Sequence, residues 1–415
     1  MWRSLVSRLV RVQEASGSNP DTPTKIPVTA FVVAGFLHFP YKTGDIMIKK
    51  IKEFVAKETV LCVAAMCAVL TMFLVPPDVE YLHYIDFRVL CLLMCLMAVV
   101  AGLKDIGIFN WLTYQLLHRI HSGRILSVTL VLLPFFCSMF VTNDVALIIF
   151  IPFTLMLLEE LGCRDKIIPV TVFQTIAANL GSMAMPVGNP QNLYLYAFYN
   201  IGISDFFSVT LPLTVVSMVG LAVCSIWLLP KKMPEQKLEP VCIRSTGNLL
   251  IYAALFVLCL LTVFRVVAYP VTTAVTVAAL FVVNRKLLKE IDYMLLLTFV
   301  CFFTVSENLG RLDAVRSFLQ QLLQWNTVLT AVGTSQVISN VPAAVVLSGF
   351  TDQWRQMLAG VNIGGLGTPI ASLASLITMK FYMNWPGAKI TKFLGFFTVA
   401  NLIGLAVLLL CVQMI

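Results

Sequence analysis

Asn179-Leu-Gly-Ser-Met-Ala-Met-Pro-Val-Gly-Asn-Pro-Gln-Asn192 aligns without a gap on Asn362-Ile-Gly-Gly-Leu-Gly-Thr-Pro-Ile-Ala-Ser-Leu-Ala-Ser375. Asn, Gly and Pro recur at equal spacing, and each copy interrupts a long apolar run. Upstream, Thr142-Asn143 parallels Ser339-Asn340. Further upstream, Asp86-Phe87 parallels Asp292-Tyr293, each opening an apolar run. Three signals in the same order mark an internal duplication.

The duplicated stretches sit in a chain built for lipid. Its residues are 59% hydrophobic and 12% charged, with a mean hydropathy of +0.89. A soluble domain carries about 25% charged residues. Apolar runs of about 18 or more residues recur, each long enough to cross the roughly 30 Å hydrocarbon layer as a helix. They are continuous rather than alternating, which selects helices over a barrel. The reading places spans at 58–77, 87–103, 206–229, 248–266, 270–284, 292–308 and 393–413. An amphipathic stretch, 106–120, lies at the interface. Runs 125–158 and 326–350 are broken at Thr142-Asn143-Asp144 and Ser339-Asn340. Runs 167–198 and 357–379 are broken by the duplicated motif.

The net charge of +8 falls in short loops, so it reads as a topology signal and not as a nucleic-acid surface. Lys49, Lys50, Lys52 and Lys57 precede the first span, and Arg119 and Arg124 follow the second. Lys231, Lys232, Lys237 and Arg244 form a central loop. Arg285, Lys286 and Lys289 form another, and Lys380, Lys389 and Lys392 the last. All fall on one side if 125–158 and 326–350 each enter and leave by the same face. The opposite loops hold only Arg88, Arg265, Arg311, Arg316 and Arg355. This asymmetry predicts a cytoplasmic start, an outer C-terminus and hairpins that open to opposite sides. The expected fold is therefore an all-α polytopic membrane protein with two inverted repeats, each holding a re-entrant hairpin and a discontinuous helix. Residues 47–230 form the first repeat, 231–246 a cytoplasmic linker and 247–415 the second. Residues 1–46 read as an N-terminal extension or a mis-called start, with Met47 as the alternative; N-terminal sequencing decides between them.

Unwound backbone inside a membrane survives where it lines a cavity or holds an ion. Half-helix N-termini offer positive dipole ends to an anion, and freed carbonyls with Asn and Ser side chains offer hard oxygens to a cation. The expected substrate and ion site therefore comprises Thr142, Asn143, Asp144, Gly188, Asn189, Asn192, Ser339, Asn340, Asn362, Gly365, Thr368 and Ser372. The bland alternative is Gly and Pro kinking packed helices with Asn as interhelical glue. Two matched pairs of breaks favour the site. Asp144, a carboxylate in mid-membrane, reads as proton carrier, cation ligand or substrate partner, against a protonated or paired structural acid. Glu307, near a span end, reads as a solvated acid. Gln174 and Gln336 read as helix–helix hydrogen bonders, and Tyr194, Tyr196 and Tyr199 as an interfacial belt. The first repeat carries Asp144, Asn189 and Asn192 where the second has Val341, Ser372 and Ser375. The coupling-ion side is therefore expected in the first repeat and a neutral hydrogen-bonding wall in the second.

Ser138-Met-Phe-Val-Thr-Asn-Asp-Val-Ala-Leu-Ile-Ile, Ser335-Gln-Val-Ile-Ser-Asn-Val-Pro-Ala-Ala and the two duplicated segments resemble the ion transporter superfamily. That superfamily holds arsenite permeases, sodium/proton antiporters, citrate transporters and divalent-anion/sodium symporters. The resemblance covers about 47–415. It implies hairpin tips at Thr142-Asn143-Asp144 and Ser339-Asn340-Val341, with loops at 186–192 and 367–372. It also implies elevator-type carriers that are often homodimers. Asp144 and Val341 stand where the symporter motif has Thr, and Asn-Asp and Pro342 resemble the permease and antiporter side, which raises the case for proton coupling.

The function so expected is secondary transport of an anion, such as citrate or another di- or tricarboxylate or an inorganic oxyanion, coupled to H+ or Na+. The alternatives are an arsenite efflux permease or a Na+/H+ antiporter. Na+ is expected near Asn143 and Asn189, no other cofactor or metal is expected, and the location is the inner or plasma membrane. The partners are a small anionic substrate and the lipid bilayer, with no nucleic acid. No Walker A motif serves ATP, no filter-like repeat marks a channel, and neither H-E-x-x-H nor G-x-S-x-G marks an enzyme. The 11 scattered cysteines contain no CxxC pair and read as packing residues.

Overall fold

Asp86 and Asp292 do in space what their sequence positions announce. Each caps a helix, its carboxylate accepting from the backbone N–H three residues on, Val89 at 3.0 Å and Leu295 at 2.9 Å. The computed structural model describes residues 54–55, 58–117, 120, 122–231 and 241–413. The extension expected at 1–46 lies outside them. Among the described residues there are sixteen α-helices and no β-strand. Seven helical segments are long and apolar enough to cross a membrane.

In chain order the helices are α1 (Thr59–Leu74), α2 (Phe87–Asp105), α3 (Ile108–Leu117), α4 (Gly123–Val141) and α5 (Asn143–Glu160). There follow α6 (Ile167–Ser182), α7 (Pro190–Phe198), α8 (Ile203–Ser225), α9 (Thr246–Val263) and α10 (Tyr269–Asn284). The last six are α11 (Tyr293–Gly310), α12 (Asp313–Ile338), α13 (Asn340–Ser348), α14 (Trp354–Ile363), α15 (Leu373–Met383) and α16 (Ile390–Val412). α12 is two helices in one. Asn326 leaves helical backbone at φ −164° and ψ 103°, and its side chain caps the next turn at Leu329 N–H, 2.8 Å away. The apolar run read from residue 326 thus starts at a cap.

The helices sort into two packed groups, each drawn from both halves of the chain. In one, α1 packs on α11, and α2 packs on α9, α10 and α11. In the other, α4, α5, α6 and α8 interlock with α7 and α12–α16. The contacts come in matching pairs. α4 on α6 answers α12 on α14, and α5 on α15 answers α13 on α7.

Several contacts join loops that are distant in sequence. Gly123 N–H donates to Lys231 O at 3.2 Å, Arg164 to Pro386 O at 2.8 Å, and Arg244 to Asp105 O at 3.0 Å. Elsewhere Tyr199 donates to Ser348 O and Thr351 O at 2.9 Å, and Thr327 to Gln353 Oε1 at 2.9 Å. Arg311 donates to Asp78 at 2.7 Å and to the Tyr84 hydroxyl at 2.8 Å.

The Arg311 hydrogen bond holds the Asp78 carboxyl below its ordinary value. A depressed carboxylate stabilises the fold in full above the unfolded pKa of about 3.9, and loses that contribution as pH falls through the folded value. Asp78→Asn is expected to melt slightly below wild type near pH 7. The difference should shrink as pH falls below the unfolded carboxylate range and the Asp78 carboxyl takes up its proton. Parallel thermal melts check this, and a difference that stays constant as pH falls overturns it.

Candidate substrate site

Two residues without the glycine freedom stand at φ > 0 at matched positions. Thr142, between α4 and α5, has φ 71° and ψ 149°; Ser339, between α12 and α13, has φ 76° and ψ 155°. That region is almost closed to residues with a Cβ, and such strain persists only where the surroundings over-determine it. Each turn delivers an Asn as the first residue of a new helix, Asn143 at 5% and Asn340 at 3% exposure.

The duplicated motif breaks two further helices beside these tips. α6 stops at Ser182, and Gly188 folds back so tightly that a Cβ there would lie 2.0 Å from Ser182 O. α7 restarts at Asn189-Pro190. The Asn189 side chain accepts from Asn192 N–H at 2.9 Å, and Pro190 supplies a first-turn residue with no N–H to satisfy. The first break is therefore 183–189, not 186–192; Pro190, Gln191 and Asn192 are already helical. The second runs from 364 to 372. Gln336 holds it by donating to Gly364 O at 2.9 Å and Leu366 O at 3.0 Å and accepting from Thr368 N–H at 2.8 Å. Gln336 thus fixes a break rather than simply joining two helices. Gln174 does join helices, donating to Leu130 O and Thr154 Oγ1, both at 2.8 Å.

Side-chain amides then stitch tips and breaks together. Asn179 Oδ1 accepts from Asn143 at 2.9 Å and from Ser372 at 2.9 Å, so one oxygen ties the first tip, α6 and the second break. Its Nδ2 reaches Gly365 O at 3.5 Å. Asn362 accepts from Asn189 at 3.2 Å and donates to Asn192 Oδ1 at 2.7 Å. Asn189 also donates to Ser182 Oγ at 3.1 Å. In the alignment Asn179 pairs with Asn362 and Asn189 with Ser372, so the bonds from Asn179 to Ser372 and from Asn362 to Asn189 are equivalent. The tips are not. Asn143 is bonded to Asn179, whereas the Asn340 side chain has no hydrogen bond among the described residues. Its Nδ2 lies 2.8 Å from where a Cβ on Gly365 would stand.

Ser182 Oγ in turn donates to Asn179 O at 2.8 Å, and through that bond Asn143, Asn189, Asn192, Asn362, Gly365 and Ser372 meet in one network, with Asn340 at its edge. Ser339 reaches the second break, donating to Ala371 O at 3.4 Å. Asp144 is half-buried beside the first tip, with Oδ1 buried and unpartnered. Thr142 shapes the tip through its backbone. Gly188 serves close packing. Thr368 is exposed and bound to Gln336, outside the network. Asn179 is not among the residues that the sequence singles out, although its alignment with Asn362 carries the signal. The tyrosines are not an interfacial belt. Tyr194 and Tyr196 are each 3% exposed, and the Tyr194 hydroxyl meets Ser348 Oγ at 2.8 Å, at the end of α13 and far away in sequence. Glu307 is exposed on α11. No Lys, Arg, His, Asp or Glu is fully buried among the described residues.

The family model described as "Citrate transporter" matches residues 45–352. The chain belongs to the citrate transporter family. An uncharacterized transporter of Methanocaldococcus jannaschii is 32% identical over 302 residues, covering 72% of this chain and 82% of the relative. Inner membrane protein YbiR of Escherichia coli is 29% identical over 300 residues, covering 71% and 80%. The silicon efflux transporter LSI3 of Oryza sativa is 33% identical over 146 residues, covering 34% and 30%. This member of the citrate transporter family is a multi-pass plasma-membrane transporter of a small molecule. A family of transporters also argues against an enzyme.

Proposed function

We propose that the chain is a secondary active carrier of a small anion, citrate or a related carboxylate first among them, bound between two inverted repeats. The observation that carries this is the amide network through which Asn179 and Asn362 join both breaks. Four helices, α5, α7, α13 and α15, begin at these tips and breaks. Their N-terminal dipole ends stand in for the absent basic side chains as partners of an anion. The inversion is supported by the loop contacts. The ends of 123–160 meet Lys231 and, through Arg164, Pro386, in loops on the more basic side. The ends of 327–348 meet Gln353 and Tyr199 on the other side. These contacts support a course in which each hairpin returns to the face it left.

The coupling ion is H+ or Na+, and the unpartnered Asp144 oxygen is where it engages. A second reading, a carrier of an uncharged oxyacid, draws on the absence of buried cationic side chains among the described residues and on the name of the rice relative. Proteoliposomes loaded against imposed pH and Na+ gradients separate these readings. Uptake of citrate or succinate supports the first, and movement of arsenous or silicic acid the second. Asp144→Asn is expected to abolish dependence on the coupling gradient; unchanged pH and Na+ dependence removes Asp144 from coupling. If Asn143→Ala and Asn340→Ala match wild type with every substrate, the site is misplaced.

A further inference from the structure

Four described residues other than glycine stand at φ > 0. Two are the hairpin tips. The other two, Asn200 at 53° and Arg265 at 64°, face each other across the two helix groups. Arg265 lies in the turn between α9 and α10; Asn200 lies in the turn between α7 and α8. The Arg265 guanidinium donates to Tyr196 O and Ile201 O at 3.2 Å and to Asn200 O at 3.4 Å. It also sits 5.2 Å from the centre of the Tyr196 ring. A cation on the last carbonyls of α7 is favoured by the helix dipole, and the planar fork reaches several carbonyls at once. Ser306 also bridges the two groups, donating to Val345 O at 3.0 Å and Val346 O at 3.4 Å.

We propose that Arg265 is a conformational latch: its fork clips the α9–α10 turn to the C-terminal end of α7 and must release when the two helix groups move during a transport cycle. This rests on the carrier reading above. Two features fit a latch better than a permanent strut. The contact is made by one exposed side chain to backbone carbonyls, so water can replace it. And α7 is the short helix whose other end presents Asn189 and Asn192 to the amide network.

The test uses the full chain in proteoliposomes, with hydrogen exchange read by mass spectrometry alongside citrate uptake. In Arg265→Ala, exchange across 199–202 should rise about tenfold or more while exchange across 179–192 stays unchanged. The maximal uptake rate should rise several-fold, with half-saturation within about twofold of wild type. Arg265→Lys, which keeps the charge and loses the fork, should fall between. Unchanged exchange at 199–202 overturns the latch. So does weaker half-saturation together with a lower maximal rate, the mark of a strut that positions α7. If wild type moves none of the tested substrates, the carrier reading fails, and the exchange experiment alone still decides whether Arg265 holds the two turns together.

Discussion

Gly181→Ala is expected to remove most of the folded protein from the membrane. Gly181 lies on α6 against α4, the most extensive helix pair among the described residues. A Cβ there would stand 2.1 Å from Phe135 O and 2.7 Å from Phe135 C, both backbone atoms. No rotamer change relieves that contact; the helices must separate. Overpacking in well-packed cores costs about 1–3 kcal/mol, and a backbone clash this short belongs at or above the upper end. The damage spreads because the same helix carries Gln174, bonded to Leu130 O and Thr154 Oγ1, and Asn179, bonded to Asn143 and Ser372. Gly220→Ala is the control. Gly220 is exposed within α8, and a methyl group added there would meet nothing within 4 Å. Helix propensity there favours Ala over Gly. Thermal aggregation of detergent-solubilised protein should show Gly181→Ala far below wild type and Gly220→Ala at or above it. Equal values for the two variants would falsify the close-approach account.

That pair also marks how far the sequence alone can be read. Gly181 and Gly364 are legible as members of a repeated Asn-x-Gly pattern, and the pattern reveals that two helices break. It does not reveal that Gly181 meets Phe135, because that contact depends on how α4 crosses α6. The tips are legible for a similar reason: Thr142-Asn143-Asp144 and Ser339-Asn340 are polar interruptions in apolar runs. Their positive φ values are not, since Thr and Ser carry no sign of that backbone region. Asn179 is half legible. It aligns with Asn362, yet its role comes from Asn143 and Ser372, one on another helix and one in the other half of the chain. The tyrosines mislead because Tyr near a predicted span end usually marks the lipid interface. Here the partner of Tyr194, Ser348, lies about 150 residues away, and composition near Tyr194 cannot announce it.

Asn179→Leu is expected to leave a folded protein that has lost transport. Leucine removes the oxygen that accepts from Asn143 and Ser372, leaving two buried donors unpaired. An orphaned buried group costs about 1–3 kcal/mol by soluble-protein measures, while hydrogen bonds inside membrane proteins average nearer about 0.6 kcal/mol. The loss of stability is therefore modest and spread over one tip and one break. In the proposed site transport depends instead on where those groups stand, and a displacement of about 1 Å at a working site can cost about 100-fold. Uptake should fall by about that factor while the melting temperature moves little. Asn401→Leu supplies the comparison. Asn401 is also buried, on α16, but donates to Phe397 O within its own helix, and its Oδ1 has no partner. Replacing it removes an unsatisfied group outside the network, so uptake should stay near wild type and stability should hold or rise. The network is discarded as the substrate site if Asn179→Leu transports within a few-fold of wild type. It is equally discarded if Asn401→Leu fails just as badly, because apolar substitution anywhere in the bundle would then stop transport.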